Sequence, residues 1–168
     1  MNSNTLTVQR NGVIYLPVTS DGTSGEEWIK RLENNGCKLP DITKDILRSE
    51  SFKPTKGVDY QIAILSGQIF KDQDRVNSLI RRKAYNLGLS EPPLEVGCLF
   101  REKCSPGIRE LISSNWVIVM HDPVKIECVD KLLTLNLEFD QGRAYFSADY
   151  GFPSRHWRDD DNAFLFIK

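Results

Sequence analysis

The sequence has little of what marks a membrane-spanning, secreted or metal-binding protein. Its longest apolar runs are about five residues, whereas a helix that crosses a bilayer needs roughly 20. The first residues have neither the basic nor the apolar region of a signal peptide. The 4 cysteines form no C-x-x-C pair, so the common zinc and redox patterns are missing. We therefore expect a cytoplasmic protein with reduced thiols and without a cofactor.

The patterns that most often identify a nucleotide-binding or catalytic site are missing as well. The motifs G-x-x-x-x-G-K-[ST], G-x-G-x-x-G and G-x-S-x-G do not occur. The segment 20–25 has the small residues of a phosphate-binding loop before a predicted helix. However, Ser24 and Glu27 have the spacing of a capping box, and Glu26 adds negative charge where an anion would sit. This segment therefore predicts a turn followed by a helix start.

Length and charge limit both the size of the fold and the class of partner. The chain has 168 residues, 40% of them hydrophobic, which predicts one globular domain over 1–168 with a flexible segment over 1–10. A formal net charge of -1 gives no overall attraction to nucleic acid or to an anionic membrane. The charge balance therefore favours a protein partner over nucleic acid, and we expect no membrane contact.

The stretch 116–120 has the clearest pattern, because five consecutive apolar residues, several of them β-branched, are typical of a strand buried on both faces. Helix-like periodicity dominates the first half of the chain and strand-like alternation the second half, including a hairpin over 133–148. This distribution predicts a single α+β domain with a mixed, mostly antiparallel sheet of about five to seven strands and three or four helices. Further strands are predicted over 12–18, 58–64, 94–100 and 163–167, and helices over 26–32, 41–47, 72–87 and 106–112.

Two stretches suggest a binding surface. One is the polar side of the strongest predicted helix, and the other is a late loop in which arginines alternate with aromatic residues, a mixture that suits protein interfaces and base stacking. We therefore predict a non-enzymatic binding or regulatory module. The predicted contact residues are Arg75, Arg81, Arg82 and Lys83 on the helix and Tyr150, Arg155, Trp157 and Arg158 in the loop.

The two histidines support an alternative hypothesis. His121 and Asp122 follow the central strand, and His156 and Asp159 lie in the late loop. If the loop folds over the strand end, His121, His156 and Asp159 would be metal ligands of a small hydrolase or nuclease. In the same alternative, His121, Asp122 and His156 would be its catalytic residues. No motif fixes these residues together. The structural interpretation is that His121 bonds to backbone at a strand end and that the acidic residues form a solvated turn.

Two weaker hypotheses concern other residues. Cys104 follows Lys103 and precedes a predicted helix start, a setting that lowers the pKa of a thiol and would make it reactive. A small-molecule sensor with its pocket between the sheet and the helices is the other hypothesis.

Overall fold

The computed structural model describes residues 7–8, 12–127, 129–140, 143–158 and 162–168. It has an α+β fold with helices on both faces of one mixed sheet, so the predicted fold class is confirmed. The sheet is larger than predicted, with nine strands in the described residues, and there are five α-helices. The predicted flexible segment 1–10 lies mostly outside the described residues, as do Cys128 and the hairpin turn at 141–142.

The bounds of the elements are as follows. The strands are β1 (Thr7–Val8), β2 (Val13–Asp21), β3 (Cys37–Lys38), β4 (Lys56–Ser66), β5 (Trp116–Val119), β6 (Val124–Ile126), β7 (Val129–Asp140), β8 (Arg143–Tyr150) and β9 (Asn162–Ile167). The α-helices are α1 (Gly25–Asn34), α2 (Asp41–Arg48), α3 (Asn77–Asn86), α4 (Leu94–Lys103) and α5 (Pro106–Ile112). None of these helices has the length and apolar content needed to cross a bilayer.

The sheet has the order β1-β2-β4-β9-β5-β7-β8-β3, with β6 paired to β7 outside this path. Neighbouring strands are antiparallel except for the β5–β9 and β3–β8 pairs. The prediction of a mixed, mostly antiparallel sheet is therefore confirmed. The predicted central strand is β5, which lies between β9 and β7 and has Val117, Ile118 and Val119 fully buried. Because both faces of β5 are covered, apolar side chains suit both of its faces.

Alternate residues of the strands point into two separate cores. On β5, Val117 and Val119 belong to the first core, which α1, α2, α4 and α5 cover. Ile118 belongs to the second core, which contains Ile80 of α3 and Trp157 of the late loop. The sheet therefore separates the four-helix face from the face covered by α3 and the loop.

The prediction of a strand over 94–100 is wrong, because this segment is the first part of α4. All of its residues are buried, so the helix shows no polar face that would reveal its period. A short apolar run of this kind cannot be assigned to helix or strand by periodicity. Gly97 lets the helix lie close to the sheet, since a Cβ there would come within 3.1 Å of Phe146 and 3.3 Å of Val119.

The boundaries of two elements also differ from the prediction. The helix predicted from Asp72 begins at Asn77, because Asp72–Asp74 form a 3-10 turn and Val76 makes an isolated bridge with His156. β2 extends to Asp21, three residues beyond the predicted strand over 12–18. The capping box of Ser24 and Glu27, by contrast, is present as predicted.

Candidate functional site

The start of α3 and the late loop, which were predicted as separate surfaces, form one structural unit. The backbone N–H of Asn77 donates to Arg155 O at 3.0 Å, and that of Ser78 donates to Pro153 O at 3.0 Å. Trp157 N–H donates to Arg75 O at 2.8 Å in the same ladder. The loop is thus attached to α3 by backbone bonds that need no particular side chain.

Arg75 lies inside this unit and does not form a contact surface. Its side chain is only 8% exposed. The guanidinium donates to Trp157 O at 3.0 Å, to Arg158 O at 2.7 Å and to the Asp72 carboxylate at 2.8 Å. Because these bonds satisfy the buried charge, Arg75 holds the loop against the 3-10 turn that precedes α3.

Arg81 has a similar internal role at the end of the central strand. Its guanidinium donates to Met120 O at 3.0 Å and to His121 O at 2.7 Å, and it forms an ion pair with Glu91. The side chain is 14% exposed. Arg81 therefore satisfies carbonyl groups that the sheet leaves unpaired where β5 ends.

Two predicted loop residues also have packing roles. Trp157 is buried, and its indole N–H donates to Asn77 Oδ1 at 2.8 Å. The guanidinium carbon of Arg155 lies 4.7 Å from the centre of the Trp157 ring, and Arg155 pairs with Asp149 at 2.7 Å. Both residues therefore contribute mainly to fixing the loop conformation.

The remaining predicted residues are exposed. Arg82 and Lys83 lie on α3, and Arg158 lies at the end of the described loop. Tyr150 is 39% exposed and stacks on Phe152, with ring centres 6.0 Å apart. We call these five residues, Arg82, Lys83, Tyr150, Phe152 and Arg158, the α3–loop surface.

Lys131 adds a contact that sequence patterns did not indicate. Its ammonium lies 4.4 Å from the centre of the Tyr150 ring and 3.2 Å from the Tyr150 hydroxyl. The contact joins β7 to the end of β8, so it depends on the pairing of the hairpin. It places one more cation beside the exposed aromatic pair.

His121 is a buried structural residue. Its Nε2 accepts a hydrogen bond from Leu135 N–H at 2.9 Å, so Nδ1 carries the proton and donates to Asp122 O at 2.7 Å. Burial lowers the pKa of His121 to about 4, and the ring is neutral at pH 7. Both nitrogens face backbone groups, which leaves no lone pair for a metal ion.

The other parts of the metal hypothesis do not assemble around His121. His156 Nε2 lies 2.8 Å from Asp72 O and 3.6 Å from the Asp72 carboxylate, while the side chain of Asp122 is exposed. Asp159 lies outside the described residues. Among the residues that the structure describes, no three His, Cys, Asp or Glu side chains form a group that could hold a metal ion.

Cys104 does not have the lowered thiol pKa that its sequence neighbours suggested. Burial raises the pKa of Cys104 to about 11, although Arg101 and Arg109 act in the opposite direction. Cys104 is the C-cap residue that follows α4, and it packs against the first core. Desolvation of the thiolate therefore outweighs the attraction of the nearby positive charges.

Comparisons with family models, with curated proteins and with solved structures gave no match.

Proposed function

We propose that this chain is a non-enzymatic binding or regulatory module that contacts an acidic protein through the α3–loop surface. The observation that carries the proposal is the backbone ladder between α3 and the loop, in which Val76 and His156 form a bridge. This ladder holds exposed cations and an exposed aromatic pair on one unit. A surface that is ordered before binding loses less conformational entropy when the partner docks.

The ion pairs of the described residues favour a protein over nucleic acid as the partner. Arg75, Arg81 and Arg155 are each paired with a carboxylate, so their charges are not free to contact a partner as predicted. Few free cations remain on this surface, whereas nucleic-acid binding depends on neutralising many phosphates. Exposed aromatic residues beside a small number of cations are more typical of a protein interface.

A cytoplasmic location is part of the same proposal. Cys37, Cys98 and Cys104 are free thiols, and Cys37 and Cys98 are buried. Free thiols persist in a reducing compartment, where disulfide formation is disfavoured.

The test is a comparison of proteins that co-purify with wild type and with the Arg82→Glu, Lys83→Glu double variant, quantified by mass spectrometry. The proposal expects a partner with an acidic surface to be lost from the double variant. The matched control is Lys53→Glu with Lys56→Glu, which reverses two exposed lysines near the start of β4 and should retain the partner. Equal recovery from wild type and both double variants would refute the proposed surface.

A further inference from the structure

A cavity of about 740 Å³ lies at the end of α4, between α5 and the β7–β8 hairpin. Phe139 and Cys104 line it, and both pack in the first core. The cavity is therefore on the opposite face of the sheet from α3 and the late loop. Its volume is in the range of sites that hold small organic ligands.

Three arginines from different elements line this cavity, namely Arg101 of α4, Arg109 of α5 and Arg143 of β8. The guanidinium carbons of Arg101 and Arg109 are each 5.1 Å from the centre of the Phe139 ring. Arg109 also donates a hydrogen bond of 3.4 Å to Phe139 O. The aromatic ring therefore holds two of the positive charges beside the cavity.

The three cavity arginines have no carboxylate partners in the described part of the chain. Arg31, Arg48 and Arg155, by contrast, each form an ion pair at 2.7 Å or less. Glu110 also lines the cavity, but no ion pair joins it to an arginine among the described residues. Glu110 offsets only part of this positive charge, so the three clustered cations still repel one another, and an anion in the cavity would relieve this repulsion.

One atom of the cluster is also without a hydrogen bond. Nη1 of Arg101 is buried and has no partner within the described residues. The same guanidinium lies beside the Cys37 thiol, which is a weak acceptor at best. A buried guanidinium N–H without an acceptor is unfavourable, so a small shift of Arg101 towards a bound anion would improve its bonding.

We propose that this arginine cavity binds the phosphate group of a small phosphate monoester. Guanidinium groups form paired hydrogen bonds with phosphate oxygens, and several arginines can share one phosphate. A phosphate monoester has a charge near -2 at pH 7 and three acceptor oxygens, which suits three arginines better than a singly charged carboxylate does. The remaining cavity volume would accommodate the organic part of the ligand.

The test is isothermal titration calorimetry of the full chain at low salt with three probes: ribose 5-phosphate, a phosphoserine peptide, and ribose as the neutral control. We expect ribose 5-phosphate to bind and ribose not to bind. Tighter binding of the phosphoserine peptide would refute a small phosphate monoester as the ligand, since the bound phosphate would then belong to a phosphorylated protein. Absence of binding by both phosphate probes would overturn the site altogether.

Variants localise the binding. Arg109→Gln should weaken the affinity for ribose 5-phosphate by about tenfold or more, which corresponds to loss of a charged hydrogen bond. Arg143→Gln changes an exposed residue, so it provides a second variant in case Arg109→Gln fails to fold. Arg48→Gln removes an exposed arginine of α2 outside the cavity and should leave the affinity unchanged. Unchanged affinity in both cavity variants would refute the site.

This site shares no residue with the α3–loop surface, so the two proposals can fail independently. The Arg82→Glu, Lys83→Glu double variant should bind ribose 5-phosphate as wild type does. Loss of ribose 5-phosphate binding in that variant would show that the phosphate binds at α3 and not in the arginine cavity.

Discussion

The arginines on the two faces of the sheet differ in what surrounds them. On the α3 face, Arg75 and Arg81 donate to backbone carbonyls and pair with Asp72 and Glu91. On the other face, two of the three guanidinium groups of the arginine cavity, those of Arg101 and Arg109, lie against the Phe139 ring, and none of the three has a carboxylate partner among the described residues. The first pair stabilises the fold, whereas the second group leaves its charge available for a ligand.

A cluster of arginines in a sequence is therefore weak evidence for a binding surface. Arg75 and Arg81 were predicted to contact a partner, yet both are largely enclosed by the chain itself. The cavity arginines were not predicted, because they are contributed by three separate elements. Substitutions at Arg75, Arg81, His121 and Arg143 test this contrast.

The largest effect is expected at Arg75. Replacing it in Arg75→Met keeps an apolar stem but leaves the carbonyls of Trp157 and Arg158 without their donor. We expect the free energy of unfolding to fall by about 3 kcal/mol, as measured by urea denaturation. The control is Arg82→Met, an exposed residue of α3 that should change stability by less than about 0.5 kcal/mol. Similar values for the two variants would contradict a structural role for Arg75.

Arg81 should have the next largest effect. In Arg81→Met the carbonyls of Met120 and His121 lose their donor, and Glu91 loses its ion pair. We expect a loss of about 2 kcal/mol in the same denaturation experiment, less than for Arg75 because Arg81 is more exposed. A loss below about 0.5 kcal/mol would show that Arg81 contributes no more to stability than an exposed arginine does.

His121, whose carbonyl accepts from Arg81, should make stability depend on pH. Burial lowers the pKa of His121 from 6.5 to about 4, so the unfolded chain takes up the proton first as the pH falls. The contribution of neutral His121 to stability is complete above pH 6.5, the pKa in the unfolded chain. It is lost as the pH falls towards about 4, the pKa in the folded protein. Between pH 7 and pH 5 we expect the free energy of unfolding to decrease by about 2 kcal/mol.

The measurement is urea denaturation at both pH values for wild type, His121→Asn and His156→Gln. His121→Asn should remove most of the pH dependence, whereas His156→Gln should retain it. A pH dependence that survives in His121→Asn would show that another group is responsible.

The smallest effect on stability is expected in the arginine cavity. Arg143 is exposed and forms no ion pair within the described residues, so Arg143→Gln should change the free energy of unfolding by less than about 0.5 kcal/mol without ligand. Denaturation under the conditions used for Arg75→Met gives the comparison directly. A loss as large as that of Arg81→Met would mean that Arg143 also supports the fold, and the contrast between the two faces would disappear.

Sequence patterns predicted the fold class and several of the elements, because these depend on local spacing. The capping box of Ser24 and Glu27, the buried strand β5 and the β7–β8 hairpin all follow from residues close together in the chain. The strand prediction over 94–100 is wrong for the same reason, since the buried first part of α4 gives no periodic signal. The candidate surface could be predicted only in part. The same sequence pattern selected exposed residues such as Arg82 and Tyr150 and enclosed residues such as Arg75.

The spacing of apolar and polar residues along the chain predicts which segments bury a face in the α+β fold. Which charged groups find partners within the chain depends on tertiary packing. The acceptors of Arg75 at Trp157 and Arg158 are 82 and 83 residues away, and those of Arg81 are 39 and 40 residues away. Non-local packing decides which acceptors lie within hydrogen-bond distance of a guanidinium group, and hence whether the chain itself satisfies its charge. Local sequence patterns contain no information about those acceptors.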